Sequence, residues 1–130
     1  MVFATTAQLR VLVVDDSESY LEAVSRLLAT YSCVGKIDRA HSSAEALSSV
    51  MTDPPDLMLV DVAMPGMNGL DLTHAVKALA HPPGVIITTL YDTTIYRQVA
   101  MSAGADGFVG KSELGERLQN TIKQLFPDLR

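Results

Sequence analysis

Two short apolar runs stop abruptly at acidic residues, and this constrains the chain more than any other feature. Leu9-Arg10-Val11-Leu12-Val13-Val14 ends at Asp15-Asp16, and Leu57-Met58-Leu59-Val60 ends at Asp61. Neither run alternates with period two, as a strand with one wet face would. A strand that is apolar on both faces belongs to a parallel sheet covered by helices on each side. Between the runs the period becomes helical. Leu21, Val24, Leu27, Leu28 and Tyr31 recur three and four apart behind Asp16 and Ser17, either of which can cap that helix.

The cycle then repeats. Val34–Ala40 reads as a weaker second strand, and Ser42-Ser43-Ala44-Glu45 as a capping box opening a helix that runs to about Met51 before Pro54-Pro55. Beyond Asp61, the loop Met64-Pro65-Gly66-Met67-Asn68-Gly69 leads into a helix carrying Leu72, Ala75, Val76 and Leu79, which gives way at His81-Pro82-Pro83-Gly84. Residues 85–89 form a fourth strand, 95–103 a modest helix and 107–109 a short fifth strand. Ser112 caps a last helix with Leu114, Leu118, Ile122 and Leu125 on one stripe. Five strands alternating with five helices predict an α/β fold, a doubly wound three-layer sandwich around a five-stranded parallel sheet. At 130 residues the chain has the size of one domain, and 48% hydrophobic with 19% charged residues is the composition of a packed globule. Residues 1–130 are expected to form that single domain, with its core over about 9–125.

Charge and cysteine content exclude several function classes. Ten Lys and Arg against fifteen Asp and Glu leave a net charge of -5, so no electrostatic footprint for a polyanion exists and direct nucleic-acid binding is not expected. The lone Cys33 cannot form an internal disulfide, the first residues do not read as a secretory signal, and no apolar stretch reaches the roughly 18 residues of a membrane span. A cytoplasmic location is expected.

In open parallel sheets, ligands bind beyond the carboxyl ends of the strands, where the strand order reverses. Strand one ends in Asp15-Asp16, strand three in Asp61, strand four in Thr88 and strand five in Lys111, whereas strand two ends without a comparable group. With the order 2-1-3-4-5, the three carboxylates converge, and a strand spacing of about 4.8 Å brings Thr88 and Lys111 within reach. Clustered carboxylates repel one another, and protonation or a cation must relieve that repulsion. Mg²⁺ commonly sits on one or two carboxylates plus a phosphate, and a carboxylate can itself accept a phosphoryl group. The constellation therefore suits phosphoryl transfer onto an Asp side chain.

Taken singly, each residue has a plainer reading: Asp15 or Asp16 as a helix cap, Asp61 as a turn residue, Thr88 as a strand former, Phe108 as core. Other signals fail. Gly110-Lys111-Ser112 resembles the tail of a phosphate-binding loop, but Ala105 stands where its first glycine belongs. His41, His74 and His81 lack metal-ligand spacing, and there is no Gly-x-Ser-x-Gly elbow. An Asp-based Mg²⁺ phosphatase, the nearest enzyme reading, would want a second carboxylate two residues after its nucleophile, where this chain has Ala63.

Together Asp15-Asp16, the segment Leu59-Val60-Asp61-Val62-Ala63-Met64-Pro65-Gly66-Met67-Asn68-Gly69, Thr88, and the run Ala103-Gly104-Ala105-Asp106-Gly107-Phe108-Val109-Gly110-Lys111 resemble the receiver domain of bacterial two-component response regulators. The wording is most similar to receivers of the class with a C-terminal helix-turn-helix domain. The resemblance implies a flavodoxin-like fold and a phosphorylation-controlled signalling switch rather than an enzyme, one that assists its own phosphoryl transfer and dephosphorylation. It implies Asp61 as phosphoacceptor, Asp16 as a direct Mg²⁺ ligand, Asp15 as a ligand acting largely through water, and Ala63 as a backbone carbonyl ligand. It also implies Thr88 as the hydroxyl that follows the phosphoryl group, Lys111 as its charge partner, and Phe108 as the switch aromatic. The implied partners are a histidine kinase or phosphotransfer protein and an output protein or effector domain. A regulatory fragment of a longer DNA-binding regulator is a second reading. Two departures stand out: Thr89 follows Thr88 where many members have Ala or Gly, and Ser112 follows Lys111 where many have Pro, so a trans Lys111–Ser112 peptide is expected.

Overall fold

Burial on both faces organises the chain. A computed structural model describes residues 2–3, 7–90 and 94–129. Its five strands are β1 (Leu9–Val14), β2 (Val34–Ala40), β3 (Leu57–Asp61), β4 (Gly84–Thr89) and β5 (Gly107–Gly110). They pair in parallel in the order β2-β1-β3-β4-β5. Helices α1 (Glu18–Ala29) and α5 (Leu114–Leu125) set Leu21, Val24, Leu28, Leu118 and Ile122 against Val11, Val13, Leu57, Leu59, Ile86 and Val109 on one face. On the other face α2 (Ser43–Thr52), α3 (Gly69–Lys77) and α4 (Thr94–Ser102) set Ala46, Val50, Leu72, Val76 and Ala100 against Leu12, Val14, Met58, Val60, Val85 and Ile87. Each fully buried Leu or Ile contributes about 1.5–3 kcal/mol, so the sheet holds its helices from both sides.

Every residue of β3 and β4 is buried, which explains their unbroken apolar runs. Strand β2 lies at the sheet edge and shows solvent Lys36, Asp38 and Arg39, charges that discourage pairing with another chain and that weaken its signal in the sequence. Ser17, not Asp16, caps α1: its Oγ accepts the Tyr20 N–H at 3.3 Å. Ser42 likewise accepts the Glu45 N–H at 3.1 Å, while the Glu45 carboxylate returns to the N–H of His41 at 3.3 Å.

The start of the last helix differs from expectation. Ser112 does not cap the last helix; a 3₁₀ turn over Lys111–Glu113 intervenes, and α5 begins at Leu114 without a side-chain cap. The ion pairs of Lys111 hold this segment over the strand ends, so the helix starts a turn later. The Lys111–Ser112 peptide is trans, as expected. Packing also extends past residues 9–125: the Phe3 ring stacks on Phe126 with centroids 5.1 Å apart, and the Phe3 N–H donates to the Leu125 carbonyl at 2.6 Å.

The loop after β3 is fixed by geometry. Gly66 takes a φ of 75°, and Asn68 Oδ1 accepts the N–H groups of Leu70 and Asp71 at 2.9 Å each, capping α3. Gly69 opens that helix against the end of β3, where an added Cβ would fall 2.0 Å from the Asp61 carbonyl oxygen. The contact is with backbone and cannot relax cheaply. Gly69→Ala is expected to destabilise the fold by about 1–3 kcal/mol or more. Gly115→Ala, on the exposed side of α5 with nothing near the new methyl, should stabilise it by about 0.4–1 kcal/mol. Urea midpoints of the two variants check this pair; equal shifts would contradict the close approach.

Candidate functional site

The carboxyl ends of β1, β3 and β5 deliver three acids and one ammonium to one place. Asp15 follows β1, its N–H donating to the Ala40 carbonyl at 3.1 Å. Its Oδ1 accepts the Ser17 N–H at 2.9 Å and its Oδ2 accepts Lys111 Nζ at 2.8 Å. Asp61 closes β3 with its Oδ1 3.4 Å from the same Nζ. Asp15 is 1% exposed and the Lys111 side chain 13%, so this is a shielded pair that bulk solvent screens little. Asp16 points to solvent and forms no ion pair among the described residues.

One carboxylate oxygen from each of Asp15, Asp16 and Asp61 lies within 4.8 Å of the others. Three carboxylates against one ammonium leave surplus negative charge, and an all-oxygen donor set of this charge fits a hard divalent cation. The same surplus shows in Asp61: burial, then the charge of Asp15, push its carboxyl up to about 6, against the opposing pull of Lys111 and the Ala63 backbone. An open cavity of about 220 Å³ lies over the cluster, walled by Asp15, Asp16, Asp61 and Lys111 together with Ser17, Ala63, Thr89 and Leu90. A second cleft of about 290 Å³ between β2 and α2 has its charges matched internally, Lys36 Nζ lying 2.9 Å from Asp53 and 3.7 Å from Asp38.

Asp15, Asp16, Asp61, Ala63 and Lys111, all singled out from the sequence, meet at this cavity. Thr88 does not line it; Thr89 does. Side chains alternate along β4, so Val85 and Ile87 face α2–α4, Ile86 faces α1 and α5, and the two threonines part in the same way. Thr88 pairs in register with Asp61 and turns towards Tyr20 of α1, whereas Thr89 shares the face of Phe108, whose ring is buried beside α4 under the Arg97 guanidinium, 4.8 Å from its centroid. Thr89 thus lies on the Phe108 side of the sheet, and Thr88 on the side of Tyr20, in register with Asp61. Period-two counting along 85–89 carries this signal in the sequence, and the adjacent threonines obscured it. Ser17, Leu90 and Tyr20 were also missed. The histidines hold no metal cluster among the described residues; His41 instead pairs with Glu18, which raises its pKa.

The profile of the response regulator receiver domain family matches residues 11–123. Sensory transduction protein LytT of Bacillus subtilis is 33% identical over 116 residues, covering 89% of this chain and 47% of LytT. Response regulator MprA of Mycobacterium tuberculosis is 30% identical over 125 residues, covering 92% of this chain and 53% of MprA. The chain thus spans about half the length of the curated relatives it matches. Among solved structures, the receiver domain of the putative response regulator NarL from Mycobacterium tuberculosis superposes with a TM-score of 0.79 at 30% identity, covering 90% of this chain and 98% of that one. Chemotaxis protein CheY4 of Vibrio cholerae gives 0.82 at 28% identity, covering 92% of this chain and 100% of CheY4.

The raised pKa of Asp61 has a consequence for the metal-free protein. Because the folded-state value, about 6, exceeds the ordinary 3.8, its contribution to stability is fully present below pH 3.8 and lost as pH rises through 6. Asp61→Asn removes that loss. Its melting temperature should exceed that of the wild type above pH 6.5, by at most about 3 kcal/mol of stability, and the gap should close towards pH 4. A pH-independent gap in metal-free thermal melts would contradict the clustered-carboxylate account.

Proposed function

Because the chain belongs to the response regulator receiver domain family, the phosphorylation-controlled switch of two-component signalling, we propose that Asp61 is its phosphoacceptor and that Mg²⁺ is its cofactor. The observation that carries this reading is a shielded carboxylate with two acids beside it and an ammonium 3.4 Å from its oxygen. The donor is a phosphohistidine of a histidine kinase or phosphotransfer protein. An Asp61 oxygen attacks phosphorus, the phosphorus–nitrogen bond breaks, and the imidazole leaves with the bonding pair while Asp61 becomes an acyl phosphate. Asp16, Asp61 and the Ala63 carbonyl would hold Mg²⁺ directly, and Asp15, with both oxygens already engaged, would act through water. Bound there, Mg²⁺ would supply the positive charge that neutralises phosphoryl oxygens. Lys111 is placed to pair with a phosphoryl oxygen on Asp61.

Thr88, in register with Asp61, is the hydroxyl the family resemblance assigns to follow the phosphoryl group, and Thr89, on the cavity wall, is the second hydroxyl within that site. Since Thr89 and Phe108 share the α4 face, a displacement of Thr89 reaches the Phe108 ring without crossing the sheet. Beside them Leu90, Ile95, Val99 and Met101 present an exposed apolar surface that suits an output protein or effector domain. The same pocket would assist loss of the phosphoryl group to water. With no helix among the described residues long and apolar enough to cross a membrane, a cytoplasmic site of action accords with kinase partners. A small-molecule phosphatase is disfavoured by Ala63, which sits in the cavity where such an enzyme needs a second carboxylate.

Intact mass after incubation with a small acyl phosphate tests this. Wild type should gain one phosphoryl group only with Mg²⁺ present, and Asp61→Asn none; stoichiometric labelling of that variant would refute the assignment. The two threonines separate the routes to the surface. Thr89→Ala should suppress the phosphorylation-dependent change in amide exchange over residues 94–118 while Thr88→Val preserves it, and the reverse result would assign the switch to Thr88.

A further inference from the structure

Tyr20 has no part in the chemistry described so far, yet it lies against the ammonium on which the site depends. Lys111 Nζ stands 4.0 Å from the centroid of the Tyr20 ring, while the same nitrogen bonds Asp15 at 2.8 Å and approaches Asp61 at 3.4 Å. The ammonium is thus enclosed by two carboxylates and one aromatic face. We propose that the Tyr20 ring is a positioning element for Lys111, a neutral seat that holds the ammonium within reach of Asp61 whatever charge Asp15 is neutralising. This rests on the phosphoacceptor reading of Asp61.

The physical argument is one of competing demands. Asp15 belongs both to the acid cluster and to the Lys111 ion pair, so its hold on Lys111 weakens whenever its negative charge is drawn elsewhere. The ring has no such second demand. Its quadrupole attracts the ammonium, and its surface keeps water from one side of it. The hydroxyl is buried with Thr88 as its polar neighbour, and it is the ring face that meets the ammonium. Burial, opposed by Thr88, raises the hydroxyl's pKa well above the ordinary phenol value, so it stays neutral. The contact with Lys111 is made by the ring, which places the useful property there. Through this contact the first turn of α1 bears directly on the residue that follows β5.

Tyr20→Phe, Tyr20→Leu and a pentafluorophenylalanine at position 20, which keeps the ring's shape but reverses its quadrupole, test the proposal in the full chain. The first readout needs no phosphorylation: in the metal-free protein the ε-methylene protons of Lys111 should show an upfield ring-current shift, retained in Tyr20→Phe and lost in Tyr20→Leu. The second is the rate of Asp61 labelling by a small acyl phosphate at saturating Mg²⁺. Tyr20→Phe should label at the wild-type rate, and Tyr20→Leu and the fluorinated ring should label roughly 3- to 30-fold more slowly. Wild-type rates in the fluorinated protein would overturn the proposal, as would a Tyr20→Phe rate as low as that of Tyr20→Leu. Failure of the phosphoacceptor reading would appear separately, as absence of label in the wild type.

Discussion

The ion pair between Lys111 and Asp15 joins residues 96 positions apart across the carboxyl edge of the sheet, and the site depends on it. Removing one member of such a shielded pair leaves an uncompensated charge, at a cost of about 3–5 kcal/mol. The pair also leaves Asp61 in company with more negative than positive charge. Burial and then the charge of Asp15 raise the Asp61 pKa, and the imbalance gives the pocket its capacity for a divalent cation. Stability and the proposed chemistry thus draw on the same three side chains.

The parallel sheet makes this convergence possible. All five strands run the same way, so every loop that follows a strand opens on the same edge, and the order β2-β1-β3-β4-β5 makes β1 and β3 neighbours where the winding reverses. Close packing beneath sets the precision. Gly69 starts α3 so near the Asp61 carbonyl that no larger residue fits, and the loop carrying Ala63 is thereby held over the cavity. At the opposite edge, Lys77 of α3 bonds Asp106 at 2.7 Å and the Pro83 carbonyl at 2.9 Å, and Asp106 also accepts the Val85 N–H. That network pins α3 to the starts of β4 and β5 with a second shielded ion pair.

The two faces of the sheet divide the labour. Tyr20 and Thr88 lie on the side of α1 and α5, close to the ammonium, whereas Thr89 and Phe108 lie on the side of α4 with its exposed apolar residues. The proposed phosphorylation of Asp61 would thus bear on both helical layers, on Lys111 and Tyr20 through one and on the outer surface through the other. Arg97 over the Phe108 ring adds a contact from α4 that any movement of that ring must alter.

The sequence by itself determined the fold class and the acids at the strand ends, and the strand order and the pocket followed through the family resemblance. Unbroken apolar runs ending in Asp15-Asp16 and Asp61 are written in local composition, because a strand buried on both faces has little choice of residue. It left open which of Asp16 and Ser17 caps α1, since both side chains can accept the same N–H, and it hid β2 behind the charges an edge strand tolerates. It also did not separate two adjacent threonines, which have the same β-propensity; only the pleat of β4 between its neighbours turns one to Tyr20 and the other to the cavity. Tertiary structure alone decided the contact of Tyr20 with Lys111, the Lys77–Asp106 pair, the Phe3–Phe126 stack and the 3₁₀ turn ahead of α5. Each of these is a meeting of residues distant in sequence, or a consequence of one, and its energy depends on distance and burial that no local pattern encodes.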